Sequence, residues 1–358
     1  MSKAHPYVGA PDYQIWKKEP GISHPEAFDP VTHASFKIQK SDPVVTAGSC
    51  FAQHVARYLS TSGFNFLVTE KSHPIVHAEV AEKSNYGTFS ARYGNIYTAR
   101  QLRQLLERAF GLFHPIESSW HLPSGVTIDP FRPQIQESGF ISTRDLLLDR
   151  EVHFEAVRNA VSQMSVFVFT LGLTECWEDS RDGAVFPLAP GVAGGEFDPS
   201  IYRLRNCNLE EIVTDLDWCI SFIRNINPGV RFLFTVSPVP LNATAIDRHV
   251  FVSTTYSKSA LRVAAEQICN SHELCDYFPS FEIITSPYAR GKYYGPDCRS
   301  VTESGVAHVM RLFLKHYGED CCHTAPSNYL SPESETQKYI REMDKVVEVL
   351  CDEERISN

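Results

Sequence analysis

The chain has 358 residues, 43% of them apolar and 21% charged, with a formal net charge of -10. That length and composition suit a globular α/β protein with a sizeable core. The negative balance argues against nonspecific binding to nucleic acid or to an anionic membrane surface, and no apolar run reaches the roughly 20 residues of a membrane span. The polar N-terminal stretch Met1–Tyr7 lacks a signal-peptide core. Ten cysteines without a CxxC spacing read as mostly reduced thiols, which together with that stretch implies a cytoplasmic protein without a structural zinc.

Residues 1–42, rich in Pro, His and Lys, read as an irregular surface arm. Residues 43–48 form a β-branched apolar strand that runs into Gly48-Ser49-Cys50. A helix over residues 50–62 follows, stopped by Gly63. Residues 64–68 suggest a second strand, and 70–97 show little helical or strand period. Thr98 and Gln101 form a capping box for a helix to about residue 110. Residues 112–150 read as an insertion of loops or short strands. A helix near 150–163 then leads into the apolar strand 166–170. Residues 178–207 form a Gly/Pro-rich second insertion.

A helix over 208–226, a strand over 231–236, a helix over 254–271, a short strand near 275–278 and a helix over 303–317 complete the alternation. A polar linker and a last helix over 335–351 end the chain. Continuously apolar strands alternating with long helices predict a mostly parallel sheet covered on both faces, a three-layer αβα sandwich. In such sheets functional groups gather beyond the C-terminal strand ends. Three polar turns fall there: Gly48–Cys50, Gly172–Glu175 and Ser237–Pro240.

Cys50 is the first candidate. A thiol in the first turn of a helix meets unpaired N–H groups and the positive end of the macrodipole, both of which favour a thiolate. His54 lies four residues on, on the same helix face, as a possible nucleophile–base partner. The competing reading is a packing cysteine. Lys258 and Arg262 share one helix face and could hold a carboxylate or phosphate, including one on a coenzyme A arm. Glu175 could orient a histidine or bind backbone N–H groups. Tyr93, Tyr97, Trp177 and Tyr256 could line a sugar-binding cleft. No P-loop, dinucleotide fingerprint or HExxH pattern is present.

The block Gly48-Ser49-Cys50-Phe51-Ala52, with Tyr93–Tyr97, Thr170–Glu175, Ser237–Leu241, Tyr256–Lys258 and Tyr277–Glu282, resembles the GSCFA family. That family in turn looks like a branch of the SGNH/GDSL-type hydrolases. The resemblance spans roughly residues 40–320 and implies an SGNH-like, flavodoxin-like domain with acyl-ester chemistry. It puts Cys50 at the nucleophile position and Ser49 where those enzymes carry aspartate. Thr174 replaces the oxyanion-binding asparagine. The loop glycine would be Gly94, flanked by Asn95, or more remotely Gly87, with Ser237 and Glu175 in support and Tyr97, Tyr256, Lys258 and Arg262 toward substrate.

The final Asp-x-x-His block departs from the pattern. Asp297-Cys298-Arg299-Ser300 has serine at the histidine position, so the base falls to His54, His249 or, more remotely, His308. The implied activity is a cysteine-dependent esterase or acyltransferase on an acylated carbohydrate or small molecule. No cofactor is expected beyond acyl-CoA as a donor substrate. Two other readings stay open. One is a catalytically degenerate binding module for a glycan or acyl group. The other is a redox-sensing thiol resolved by Cys176 or Cys298.

Overall fold

The computed structural model describes residues 5–319 and 352–357. The expected helix over 335–351 lies outside them. Four parallel strands form the central sheet: β1 (Val44–Gly48), β4 (Val166–Leu171), β8 (Arg231–Val236) and β9 (Cys275–Tyr277), in the order β1-β4-β8-β9. Numbering follows the chain, so β2 (Trp120–His121), β3 (Thr127–Ile128), β5 (Glu175–Asp179), β6 (Val185–Phe186) and β7 (Tyr202–Asn206) lie in the two insertions.

The register sorts the apolar residues into two faces. Val45 pairs with Phe167, which pairs with Phe232; Ala47 pairs with Phe169, which pairs with Phe234. These residues face one core, built with α3 (Ala99–Ala109), α4 (Thr143–Gln163), α5 (Leu209–Ile226) and α6 (Val250–Ser271). Val44, Val166, Val168 and Leu233 face the opposite core, with α1 (Phe51–Thr61), α7 (Ser280–Thr285) and α8 (Glu303–Tyr317). The small residues of β1 leave room for the phenylalanines of β4 and β8, a complementarity that close packing requires. The outcome is the expected three-layer αβα sandwich.

Several elements depart from the sequence expectation. The second strand shrinks to one parallel bridge, Val44 to Phe66, held by the Val44 N–H on Asn65 O and the Leu67 N–H on Val44 O, both at 2.9 Å. α4 begins seven residues earlier than the pattern near 150 suggested, because the Ser142 hydroxyl accepts the Asp145 N–H and caps a turn of mixed polarity. α6 likewise starts at Val250, capped by His249. The short helices α2 (Ala78–Lys83) and α7 carried no periodic signal, and the N-terminal arm contains four 3-10 turns. The first insertion holds the β2–β3 hairpin. The second folds as an antiparallel sheet in the order β6-β5-β7.

A buried charge network anchors the segment between α2 and α3. Glu70 accepts the Arg92 N–H at 2.7 Å and His153 Nδ1 at 2.8 Å. Arg92 and Arg132 both reach Asp149, at 2.7 and 2.8 Å, and Arg132 also pairs with Asp129 at 3.0 Å. Burial works against the Glu70 carboxylate, but His153, Arg132 and Arg92 outweigh it and hold the group at about 2. This network fixes the course of residues 84–97 onto α4, and those residues continue into the functional edge of the sheet.

Two predictions concern stability. A Cβ on Gly48, at φ +136°, would lie 2.3 Å from Thr170 O. Gly48→Ala should therefore destabilise the fold by roughly 2–5 kcal/mol, read as a lower urea midpoint; an unchanged midpoint would show that β1 can shift away from β4. Burial, with Arg132 behind it, pushes His153 from 6.5 down to about 4, and burial with Arg311 does the same to His308. Each takes up a proton on unfolding between those values. Their contribution to stability is therefore full above pH 6.5 and is lost as the pH falls toward 4. Together these two histidines should contribute about 2–3 kcal/mol per pH unit of stability loss near pH 5, and His153→Gln should lower the slope of the urea titration there by about half that amount.

Candidate active site at the C-terminal edge of the sheet

Gly48 ends β1 against Thr170 at the end of β4, where no side chain fits. The turn that follows places Ser49 in the interior and Cys50 at the N-cap of α1, half-buried. Residues 94–97 lie alongside, with the Ile96 N–H on Gly48 O at 2.8 Å. The 172–173 turn is hung on the same loop, since the Gly172 and Leu173 N–H groups both donate to Tyr97 O, at 3.0 and 2.8 Å. A Cβ on Gly172 would sit 3.1 Å from Ser49 Cβ, so this turn is packed directly on the Gly-Ser-Cys segment.

Lys258 enters from α6. Its side chain is 2% exposed and its Nζ donates to Gly172 O at 2.7 Å. The neighbouring Ser257 hydroxyl accepts the Thr174 N–H at 3.1 Å. Burial pushes the Lys258 ammonium down to about 8, against the pull of the nearby Glu353 and Cys50 and with the repulsion of Arg299. Lys258, Cys50, Arg299 and Glu353 thus share one electrostatic neighbourhood. Three buried hydroxyls at this edge, Ser49 Oγ, Thr170 Oγ1 and Thr174 Oγ1, have no hydrogen-bond partner among the described residues. Orphaned polar atoms of this kind are uncommon in folded proteins and call for a reason.

Residues 352–357 form a 3-10 turn at the mouth of this cleft. The Asp352 carboxylate accepts Asn95 Nδ2 at 3.2 Å and the Tyr97 hydroxyl at 3.3 Å. Asn95 in turn accepts Gln53 Nε2 from α1 at 3.0 Å. Burial raises the Asp352 carboxyl to about 6 despite those bonds. Glu353 accepts Arg299 Nη2 at 3.0 Å and the Asn242 N–H at 3.3 Å, while its carbonyl accepts Asn242 Nδ2 at 2.8 Å. A narrow pocket lined by Gly94, Asn95, Arg132, Gln134 and Asp352 adjoins this contact.

The other sequence candidates divide. Cys50, Ser49, Gly94, Asn95, Tyr97, Thr174 and Lys258 meet at this edge. Ser237 follows β8, buried, with its N–H on Leu171 O at 2.8 Å and its hydroxyl accepting the Val239 N–H. Glu175 accepts the Thr244 hydroxyl at 2.9 Å, and burial raises its carboxyl. His54 lies against Phe51 on α1, held neutral at a pKa of about 4 by burial and Arg57. His249 is exposed, and its Nδ1 accepts the Phe251 N–H at 3.1 Å to cap α6.

His308 lies in the far core, with Nδ1 bonded to the Tyr293 hydroxyl and Nε2 to Phe28 O. Arg262 is engaged with Glu266 at 2.7 Å and Glu282 at 3.0 Å, and stacks on Tyr277. Lys258 and Arg262 therefore serve different neighbourhoods despite their spacing.

Of the aromatics, Tyr93 is buried with its hydroxyl on Thr46 O, Trp177 packs edge-on against Phe197, and Tyr256 lies under Arg248. The Asp297–Ser300 block closes on itself, with Ser300 Oγ on Asp297 Oδ2 at 2.5 Å, and Arg299 is its residue that reaches the cleft. Cys176 is hydrogen-bonded to Cys207, and Cys298 is exposed. No cluster of metal-ligating side chains occurs among the described residues, and no described helix is long and apolar enough to cross a membrane.

Sequence reasoning missed Arg299, Asn242, Gln53, Asp352 and Glu353. Arg299 lay inside a block already singled out, but its neighbours drew the attention. The acidic pair in the C-terminal segment carries no local signal.

Among solved structures, the fold is similar to that of Clostridium thermocellum family 3 carbohydrate esterase, with 11% identity, 77% of this chain and 94% of that chain covered, and a TM-score of 0.34. No curated protein matches the sequence. Residues 43–313, which contain all four strands of the central sheet and the cleft residues up to Arg299, match the GSCFA family, and the chain belongs to that family.

Proposed function

We propose that the protein is a cysteine-dependent esterase or acyltransferase acting on an acyl ester, with an O-acylated carbohydrate as the substrate class and an acyl-CoA thioester as the donor when the reaction is transfer. The observation that supports this most is the position of Lys258. A buried ammonium tied to Gly172 O, on a turn packed against Ser49, stands in the electrostatic neighbourhood of a cysteine at a helix start. An adjacent cation and a helix N-terminus both favour the thiolate over the thiol.

In this reading the Cys50 thiolate attacks the acyl carbon. The Thr174 hydroxyl and backbone N–H groups of the Cys50 and Gly94 turns stabilise the oxyanion. The C–O bond to the leaving alcohol breaks, or the C–S bond to coenzyme A when the donor is the thioester, and Lys258 gives the departing oxygen or sulfur its proton. Water or an acceptor hydroxyl then attacks the thioester, returns a proton to the Lys258 amine and releases Cys50. An ammonium near 8 is matched to this exchange at neutral pH, whereas an imidazole near 4 is a weak base and His249 is engaged as a cap.

A second reading, a binding module that has lost catalysis, draws on the self-contained Asp297–Ser300 turn, which offers no histidine. Turnover decides between them. Cys50→Ala should reduce hydrolysis of 4-nitrophenyl acetate to background with a thermal midpoint within a few degrees of wild type, and Cys50→Ser should retain weak activity. Equal turnover in all three proteins would sink the cysteine mechanism.

The pH profile tests Lys258 separately. The cation is present below its pKa, so kcat/KM should fall as the pH rises through about 8. Lys258→Arg should move that limb upward and Lys258→Met should abolish turnover. An alkaline limb unchanged in Lys258→Arg would assign the proton to another group, with His54→Ala and His249→Ala as the next variants.

A further inference from the structure

We propose that Arg299 and Asn242 form a carboxylate-binding subsite beside Cys50, filled by Glu353 of the chain's own C-terminal segment at rest and by a carboxylate of the substrate when that segment leaves. The inference rests on the reading of the cleft as an acyl-transfer site and names its substrate class: an ester that carries a free carboxylate.

The donors that hold Glu353 belong to the folded domain. Asn242 follows β8, and Arg299 lies in the turn before α8. They supply a guanidinium N–H to one carboxylate oxygen and a backbone N–H to the other, at 3.0 and 3.3 Å. Glu353 is only 6% exposed, and charged carboxylates are buried at this level only where cations and N–H groups replace water. Asp352, the chain neighbour of Glu353, is bonded to Asn95 and Tyr97, and that loop donates the Ile96 N–H to Gly48 O, which puts Glu353 on the Gly48–Cys50 side of the cleft.

With the segment withdrawn, Lys258 and Arg299 would lose the carboxylate at their shared edge. An anion of the same kind is then the ligand that best restores their solvation. Asp352 occupies a different kind of place, bonded to the neutral donors Asn95 and Tyr97. Burial raises the Glu353 carboxyl as well, against the pull of Arg299, Asn242 and Lys258, so the two acidic side chains differ in their partners: neutral donors at Asp352, a guanidinium at Glu353. That pattern fits one ester oxygen beside one free acid.

The carboxylate could come from a dicarboxylic acyl group or from a sugar acid, and the probes separate the two. Succinate and glucuronate, with succinamide and glucose as neutral controls, are titrated calorimetrically into the full-length protein, Glu353→Gln and Glu353→Gln/Arg299→Gln. Removing the resident charge should tighten binding of at least one acid about ten-fold, leave the neutral controls unchanged, and the gain should vanish when Arg299 is also replaced. Tighter succinate places the acid on the acyl group; tighter glucuronate places it on the alcohol.

A second measurement uses the unaltered chain. Succinate or glucuronate should speed tryptic cleavage after Arg355, read by mass spectrometry, because displacing the segment unwinds its 3-10 turn. If neither acid binds more tightly to Glu353→Gln and neither speeds cleavage, Glu353 is a structural closure and the subsite is wrong. Both readouts are independent of turnover. Binding without ester hydrolysis would reject the enzymatic reading alone, and hydrolysis without binding would reject the subsite alone.

Discussion

The closest approach in the sheet, between Gly48 and Thr170, is the constraint on which the functional edge depends. β1 and β4 can run in parallel to their last residues only because Gly48 lacks a Cβ, which would fall inside the Thr170 carbonyl. That contact sets where β1 stops and therefore where α1 starts. It also leaves Gly48 O free to accept Ile96, so the 94–97 loop is drawn to the same place. The Tyr97 carbonyl then collects two N–H groups from the 172–173 turn. A single steric requirement thus ends in three loops stacked on one another, with Cys50 at their edge and Lys258 tied to the outermost.

Two groups of buried charge behave differently for the same reason. Around Arg92 and Arg132, each cation meets carboxylates of the folded domain at direct hydrogen-bond distance, and the segment it holds is fixed. Burial without such pairing would cost several kcal/mol per ion. At the cleft, the carboxylate that faces Arg299 comes from Glu353, in the short turn of residues 352–357. The first arrangement suits a scaffold. The second suits a place where one anion can be exchanged for another.

The edge also combines features that pure packing would remove. Three hydroxyls lie buried without partners among the described residues, the Lys258 ammonium is pushed down to about 8, and a carboxyl at Asp352 is pushed up to about 6. Each costs stability where it stands. These costs cluster on one side of the sheet, at the ends of its strands, where the proposed chemistry would take place.

The sequence by itself determined the layers. Alternation of apolar strands with long helices, the capping boxes at Thr98–Gln101 and Asn208–Glu211, and the Gly-Ser-Cys turn are local properties, fixed by hydrogen bonds and packing within a few residues. Cys50, Ser49 and Thr174 were legible for the same reason, since each sits next to a strand end that could be located, whereas Asn95 came only from the family resemblance.

Tertiary structure decided what depends on partners distant in the chain. The 64–68 segment kept a strand-like sequence but found only one bridge. Lys258 and Arg262, identical in helical spacing, were separated because one faces Gly172 O and the other Glu282. His249 and His308 became a cap and a core residue through contacts no spacing encodes. Asp352 and Glu353 reached the cleft across more than 250 residues of chain from Asn95, and a polar acidic tail has no periodicity from which such a contact could be read.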